Sequence, residues 1–285
     1  MMRVTFKGVR GSFPCPSATN RRYGGNTASV VLQVDGQPPI LLDLGTGLPQ
    51  FDPSVAGMGA EPFRASALVS HLHLDHVVGL PFFPPVHQPG TRIDIYGPRQ
   101  ESGSLRDGFA ALVAPPYFPV PFDQIAGDLR FHDVHRDELT IGEAHVLVRP
   151  VPHVGPTVGY RVDWAGSTVA YVSDHQAPAD LEHIDEGVLE LCDGVDLLIH
   201  EGQYTREEFA TKCDWGHCTI DYAVRVANEA GARRLCLFHH DPWRSDDALD
   251  ALVLDANRTL AAATTEVMAA AEGVTLELTA PGRVA

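Results

Sequence analysis

The hexapeptide His71-Leu72-His73-Leu74-Asp75-His76, directly behind the run Ala67-Leu68-Val69-Ser70, constrains this chain more than any other feature. Three imidazoles and a carboxylate fall together where a buried strand should end. Extended backbone sends alternate side chains to one side, so His71 and His73 can grip one ion together. Asp75 and His76 come after the turn and can face a second ion beside the first. Neutral imidazole and carboxylate are ligands that zinc accepts, and a three-ligand set leaves a place for water. The alternative is a polar loop that happens to be rich in histidine. Four ligand-type residues at this spacing behind a strand weigh against it.

The rest of the composition narrows the setting. With 285 residues and 44% hydrophobic content, the chain can bury a large core as one domain over 1–285, built as two fused halves near 1–143 and 144–285. No apolar run approaches the roughly 20 residues that a membrane span needs. Met1-Met2-Arg3-Val4-Thr5-Phe6 reads directly into a strand rather than a signal peptide. The 5 cysteines are irregularly spaced, so a disulfide framework is not indicated and a cytoplasmic setting is the default expectation.

The formal net charge is -16, and Lys7 and Lys212 are the only lysines. Proteins that hold long nucleic acids need a basic stripe to displace counterions from phosphates, and none is visible. The expected partner is therefore a small anionic substrate, with no long nucleic acid and no membrane. Bound cations would reverse the local sign for such a ligand. Pairing into a homodimer is compatible with the sequence.

Strand-like runs fill the first half, at Val4–Val9, Ala28–Val34, Ile40–Asp43, Ala67–Ser70 and Arg92–Tyr96. Gly24-Gly25-Asn26, Asp35-Gly36 and Gly45-Thr46-Gly47 separate them as turn signals. The Pro- and aromatic-rich segment Ala114–Phe122 reads as an ordered loop over the site. Its Tyr117, Phe118 and Phe122 either stack on a base there or cap the core. A second strand series follows at Ala144–Arg149, Thr157–Asp163, Thr168–Ser173 and Val195–His200. Ile220, Ala223, Val224, Ala227 and Ala230 then recur at helical spacing, with Gly231 placed to stop the helix. Arg233–His239 returns as a strand, Ser245 can cap an Ala-rich helix from about Asp246 to Ala271, and Val274–Thr279 closes as a strand. The pattern predicts an α+β fold with two packed sheets and helices outside.

A two-metal site needs ligands downstream, and three candidates end predicted strands. His153 follows Leu147–Pro152, Asp174 ends Val169–Ser173, and His239 ends Leu235–Phe238. A polar residue after an apolar run is how sites are built at a sheet rim.

At this point the chain resembles a metallo-β-lactamase-fold hydrolase, from about Arg3 to Arg244. It is most similar to the phosphodiesterase branch that includes ribonuclease Z and the PhnP-like and cyclic-nucleotide phosphodiesterases. Gly8-Val9-Arg10-Gly11-Ser12 with Tyr23-Gly24-Gly25-Asn26-Thr27 resembles the N-terminal signature of that branch. Leu41–Gly47, Val151-Pro152-His153 with Val158–Arg161, Tyr171–Asp174 and Phe238–Pro242 resemble its further motifs. Leu197–Glu201 and Gly216–Thr219 resemble the paired Glu and His of ribonuclease Z.

The resemblance implies a four-layer αββα sandwich. It also implies one metal on His71, His73 and His153, another on Asp75, His76 and His239, and Asp174 as the bridging carboxylate. His240 is the alternative to His239. His73 stands where iron-dependent relatives carry Glu, so two zinc ions are favoured over redox iron, with manganese as an option. Zinc can lower the pKa of water from about 15.7 to about 7, and a metal pair can neutralise a phosphoryl group during in-line displacement. The expected catalytic residues are Asp75, which orients the nucleophile, and His217, which donates a proton to the leaving oxygen under the influence of Glu201. The alternatives are a turn role for His217 and an arginine partner for Glu201.

His200 and His175 read as packed or supporting groups, and His87, His132, His135, His145 and His183 as surface. Cys213, His217 and Cys218 lack the second pair that a structural zinc site would need. Gly45 and Gly47 read as a tight turn rather than a phosphate cradle. The N-terminal signature leans toward small phosphodiesters, with 3′,5′-cyclic nucleotides foremost. Because no Lys/Arg-rich insertion is present, tRNA processing is second. Carboxyl-ester or lactone hydrolysis on the same metals is third, and a non-catalytic ligand sensor is last.

Overall fold

Most strands are apolar on both faces, so each must be covered from two sides. The computed structural model describes residues 1–52, 62–262 and 264–279. Six strands come first: β1 (Met2–Gly8), β2 (Ser29–Gln33), β3 (Ile40–Leu42), β4 (Arg64–Leu68), β5 (Arg92–Pro98) and β6 (Asp128–Val134). Seven more form a second sheet: β7 (Glu138–Ile141), β8 (Ala144–Pro150), β9 (Val158–Trp164), β10 (Ser167–Val172), β11 (Leu197–Glu201), β12 (Arg234–Phe238) and β13 (Glu266–Ala269). The last strand, β14 (Thr275–Leu278), returns to the first sheet beside β1. The sheet orders are β14-β1-β2-β3-β4-β5-β6 and β13-β12-β11-β10-β9-β8-β7. Each sheet is antiparallel in one part and parallel in the other.

The period-2 geometry of strands divides the apolar residues between layers. Val30 and Leu32 of β2 and Leu197 and Ile199 of β11 pack between the sheets. Their neighbours Val31 and Leu198 face outward into separate clusters. Helix α1 (Leu74–Val77) is the single turn behind β4. Helix α2 (Leu105–Leu112), opened by a Ser104/Asp107 capping box, covers the first sheet with Leu105 and Phe109. Helix α3 (Glu186–Cys192) is capped by Asp185 and lies on the second sheet. After the short α4 (Arg206–Phe209), α5 (Ile220–Glu229) adds Ala223, Val224 and Ala227 to the same outer layer, and α6 (Asp246–Thr259) adds Ala256. The result is the four-layer αββα sandwich. Among the described residues, no helix is long and apolar enough to cross a membrane.

Two sequence expectations fail here. The Ala-rich helix stops at Thr259 rather than Ala271, and Glu266–Ala269 pairs in parallel with β12. Otherwise the edge of β12 would be left with unpaired backbone groups. The β-branched Val267 suits a strand, and it also exchanges two hydrogen bonds with the Asn257 side chain. The segment 114–122 places no side chain in the metal cavity described below. Its Phe122 is buried against Phe131 with ring centroids 5.5 Å apart, and Phe118 meets Phe82 at 5.9 Å, so both cap the core.

The topology also fixes where a site can form. Parallel pairing of β10, β11 and β12 sets their C-terminal ends side by side. That places Asp174, Glu201 and His239 at one rim. The hexapeptide reaches the same rim from β4 of the facing sheet.

Candidate metal centre

The strand before the hexapeptide ends at Leu68, so His71 and His73 sit on irregular backbone rather than on a strand. They still converge, with ring centroids 4.4 Å apart. His153, from the loop after β8, completes the group, its Nε2 3.2 Å from His73 Nδ1. Asp75 and His76 lie on α1 and meet His239 from the end of β12. Asp75 Oδ2 is 3.1 Å from His76 Nε2 and 3.0 Å from His239 Nε2. Asp174 stands between the groups, with Oδ2 3.2 Å from His76 Nε2 and Oδ1 3.9 Å from His153 Nε2 and 3.5 Å from His239 Nε2. All seven expected ligand residues therefore share one centre. His240 turns away, with Nε2 donating to Ala270 O at 2.9 Å.

Oxygen atoms behind the rings decide which nitrogen each histidine presents. Nδ1 of His71 lies 3.0 Å from Ser70 Oγ, and Nδ1 of His76 lies 2.7 Å from Asp43 Oδ2. Nδ1 of His239 lies 2.8 Å from Gln203 Oε1, and Nδ1 of His153 lies 2.6 Å from Gly216 O. In all four, Nε2 is left for the centre. Fixing the outer nitrogen in this way is how proteins orient metal-ligating imidazoles.

The donor set suits divalent cations. His71 Nε2 is buried without a hydrogen-bond partner, an uncommon cost unless an ion completes it. Burial opposes ionisation of Asp75 and Asp174, but the imidazoles of His76 and His239 hold both well below the usual carboxylate range. Burial, then the charge on His76, pushes His71 well below the usual imidazole range. For His76, burial is outweighed by Asp75, Asp174 and Asp43, which drive its pKa well up. Three buried carboxylates thus call for positive charge at this spot, and a divalent cation supplies it. The groups His71/His73/His153 and Asp75/His76/His239 each hold their ligand atoms within 4.8 Å of one another, and Asp174 joins two further groups.

Beside the cage, His217 Nδ1 lies 3.2 Å from Glu201 Oε1. Glu201 is fully buried and also accepts from the backbone N–H of His175 at 2.7 Å and of Cys218 at 3.1 Å. Its partners are thus His217 and amides rather than the arginine considered as an alternative. Burial lowers the pKa of His217, but Glu201, then Asp174 and Asp75, raise it to about 9. His175 and His200 are buried behind Glu201, 3.1 Å apart.

The centre opens into a cavity of about 540 Å³. Ser12, Gln203, Lys212, Trp215 and Trp243 line it together with His73, Asp75, His153, Asp174 and His239. None of the first five emerged from sequence reasoning. Ser12 N donates to Asp75 Oδ2 at 2.7 Å. The one available signal was the place of Ser12 in a quoted motif and of the others within a few residues of Glu201, His217 or His239.

A two-sheet sandwich with a histidine- and aspartate-rich rim site defines a metal-dependent hydrolase of the metallo-β-lactamase fold. The chain belongs to the beta-lactamase superfamily, since residues 40–240 match the beta-lactamase superfamily domain. Uncharacterized protein Rv1339 of Mycobacterium tuberculosis (strain H37Rv) is 27% identical over 256 residues, covering 86% of this chain and 82% of its own. Ribonuclease Z of Natronomonas pharaonis is 25% identical over 291 residues, covering 84% and 86%. The metallo-beta-lactamase fold protein YhfI from Bacillus subtilis superposes with a TM-score of 0.71 at 21% identity, covering 97% of this chain and 99% of its own. A diphosphatase from the PhnP family superposes with a TM-score of 0.68 at 20% identity, covering 98% of each chain.

Proposed function

We propose that this hydrolase is a binuclear phosphodiesterase for small substrates, with 3′,5′-cyclic nucleotides foremost. The observation that carries the reading is the shared position of Asp174 between two three-residue ligand groups, beside a His217–Glu201 pair 3.2 Å apart. His71, His73 and His153 would hold one cation and Asp75, His76 and His239 the other, with Asp174 common to both. Zinc suits this nitrogen-rich set, and manganese is the second option. Bound there, such a pair supplies Lewis acidity toward the phosphoryl oxygens and lowers the pKa of water.

The chain's own groups do the rest. Asp75, fixed by Ser12 N, orients the attacking water while it remains a ligand. Glu201 holds Nδ1 of His217 and keeps the ring protonated at neutral pH. His217 then donates its proton to the leaving oxygen.

The modest cavity and the acid balance favour a small diester over a long RNA. Lys212 is the only lysine or arginine that lines the cavity among the described residues. The relative named ribonuclease Z and the diphosphatase of the PhnP family support phosphate chemistry, and the former keeps tRNA cleavage as the second reading. The deciding experiment is a screen of the zinc- or manganese-loaded protein on cAMP, cGMP, linear dinucleotides, pre-tRNA and lactones. Turnover should be greatest on the small diesters. Dominant pre-tRNA cleavage would overturn the substrate, and lactone turnover alone would overturn the reaction. No turnover on any of them would leave the sensor.

A further inference from the structure

A second cavity, of about 440 Å³, adjoins the metal cavity and shares two of its walls, Pro242 and Trp243. Phe13, Ser17, Thr19, Asn20 and Arg244 contribute its other sides. Trp243 is 83% exposed, and Phe13 beside it is 58% exposed. An indole left in water on a mobile loop would be unremarkable, but this loop is fixed. Trp243 N donates to Asp241 Oδ1 at 2.9 Å, and Arg244 N donates to Asp241 O at 3.0 Å. From beneath, the fully buried Arg10 donates to Asp241 O at 3.0 Å and to Arg244 O at 2.8 Å. Cys15 Sγ donates to Pro242 O at 2.9 Å, tying the loop to the opposite wall of the cavity. A rigid backbone presenting a bare aromatic face is preorganised for a ligand, because little ordering remains to be done on binding.

The charge at this place selects the class of ligand. Among the described residues, Arg244 is the one Lys or Arg side chain lining the second cavity, and it is bound to Glu208 at 2.6 Å and to Gln203 O at 2.9 Å. Its charge is therefore already balanced, so a second phosphate gains little here. A flat, neutral, aromatic group gains most, and the Ser17 and Thr19 hydroxyls, bonded to each other at 3.0 Å, keep one O–H between them for its polar edge. Trp243 also lies only four residues beyond His239, so the loop that begins at that ligand residue carries the aromatic wall.

We propose that Trp243 and the second cavity form the subsite for the base of a nucleotide whose phosphate lies at the metal centre. The subsite deepens the phosphodiesterase reading and rests on it for the position of the phosphate. Base stacking on an aromatic side chain tolerates any base, so the subsite selects nucleotides as a class rather than one base.

The test compares thymidine 5′-(p-nitrophenyl phosphate) with methyl p-nitrophenyl phosphate on the metal-loaded protein, for the native chain, Trp243→Ala and Trp243→Phe. Trp243→Ala should raise KM for the nucleoside diester about tenfold, the scale of one stacked base, with kcat nearly unchanged. Its effect on KM for the methyl ester should be several-fold smaller, and Trp243→Phe should restore most of the loss for the nucleoside diester. Equal effects on both esters, or no effect on either, would overturn the subsite. Should the native protein hydrolyse neither ester, calorimetric titration with adenosine 5′-monophosphate separates the two ideas. Binding that Trp243→Ala weakens about tenfold would keep the subsite while the phosphodiesterase reading falls. Absent or unchanged binding would remove the subsite.

Discussion

Single side chains decide the chemistry here by which ring nitrogen each histidine leaves free. Asp43 is the clearest case: buried at a φ of 55°, it accepts from Ser70 N at 2.7 Å, Ser70 Oγ at 2.8 Å and Tyr171 Oη at 2.7 Å while holding His76 Nδ1. Asp43→Asn should weaken zinc affinity about 10- to 100-fold in a chelator competition, the usual effect of losing an outer partner of a ligand. Unchanged affinity would show that His76 does not hold metal. His217→Ala should cut kcat by about 10²- to 10⁴-fold while zinc content stays intact. Loss of zinc would make His217 a ligand. His240 gives a pH signature away from the ligand atoms. Its burial lowers the pKa to about 3, so the folded state holds it neutral while the unfolded chain protonates near its ordinary value. Its stabilising contribution is therefore present above about pH 6.5 and is lost as pH falls toward 3. The gap in melting temperature between the native chain and His240→Gln should narrow from pH 7 to pH 5, and a constant gap would contradict this. The convergence of the seven expected ligand residues was legible because imidazoles and carboxylates at or just behind strand ends are rare without a reason. Gln203 and Ser12 were not, since an ordinary polar residue acquires its role only from what the fold brings beside it.

At the scale of elements, the strand ends that carry the site matter more than their lengths. Sequence periodicity found eleven of the fourteen strands with ends displaced by one to a few residues, as for Ala67–Ser70 against the observed Arg64–Leu68. It missed Asp128–Val134, Glu138–Ile141 and Glu266–Ala269, strands at or beside sheet edges that are partly exposed and carry charged residues. Pairing, not local pattern, makes them strands. The aromatic residues at the cavity were misplaced for a related reason. A Pro-rich stretch looked like a loop over the site, whereas Trp215 lies in the connection between α4 and α5 and Trp243 in the loop after β12. One loop glycine has a sharp requirement. Gly216 has a φ of 92°, and a Cβ there would lie 2.6 Å from His153 Cε1. Gly216→Ala should cost about 1–2 kcal/mol from the left-handed backbone alone, and it should also displace His153 and reduce zinc content. Calorimetry and elemental analysis matching the native protein would contradict that role.

For the whole molecule, the metal centre joins the two sheets, since the hexapeptide leaves β4 in one sheet and His153, Asp174 and His239 leave β8, β10 and β12 in the other. The general architecture was legible because two strand series with outer helices allow few arrangements. The exact meeting of the two rims was not, since it depends on contacts between residues far apart in sequence. Ions held at that meeting point bind only the folded chain, so each should stabilise it by about 2.7 kcal/mol at a hundredfold excess over Kd. Stripping with a chelator should lower the melting temperature by several degrees, and a chelator-insensitive melt would contradict a seam of this kind. The most direct measurement is elemental analysis of zinc-reconstituted, buffer-exchanged protein alongside His71→Ala and His239→Ala. The native chain should retain about two ions, and each variant about one, because each removes a ligand from a different three-residue group. Less than one ion in the native chain, or full retention in both variants, would contradict the binuclear centre.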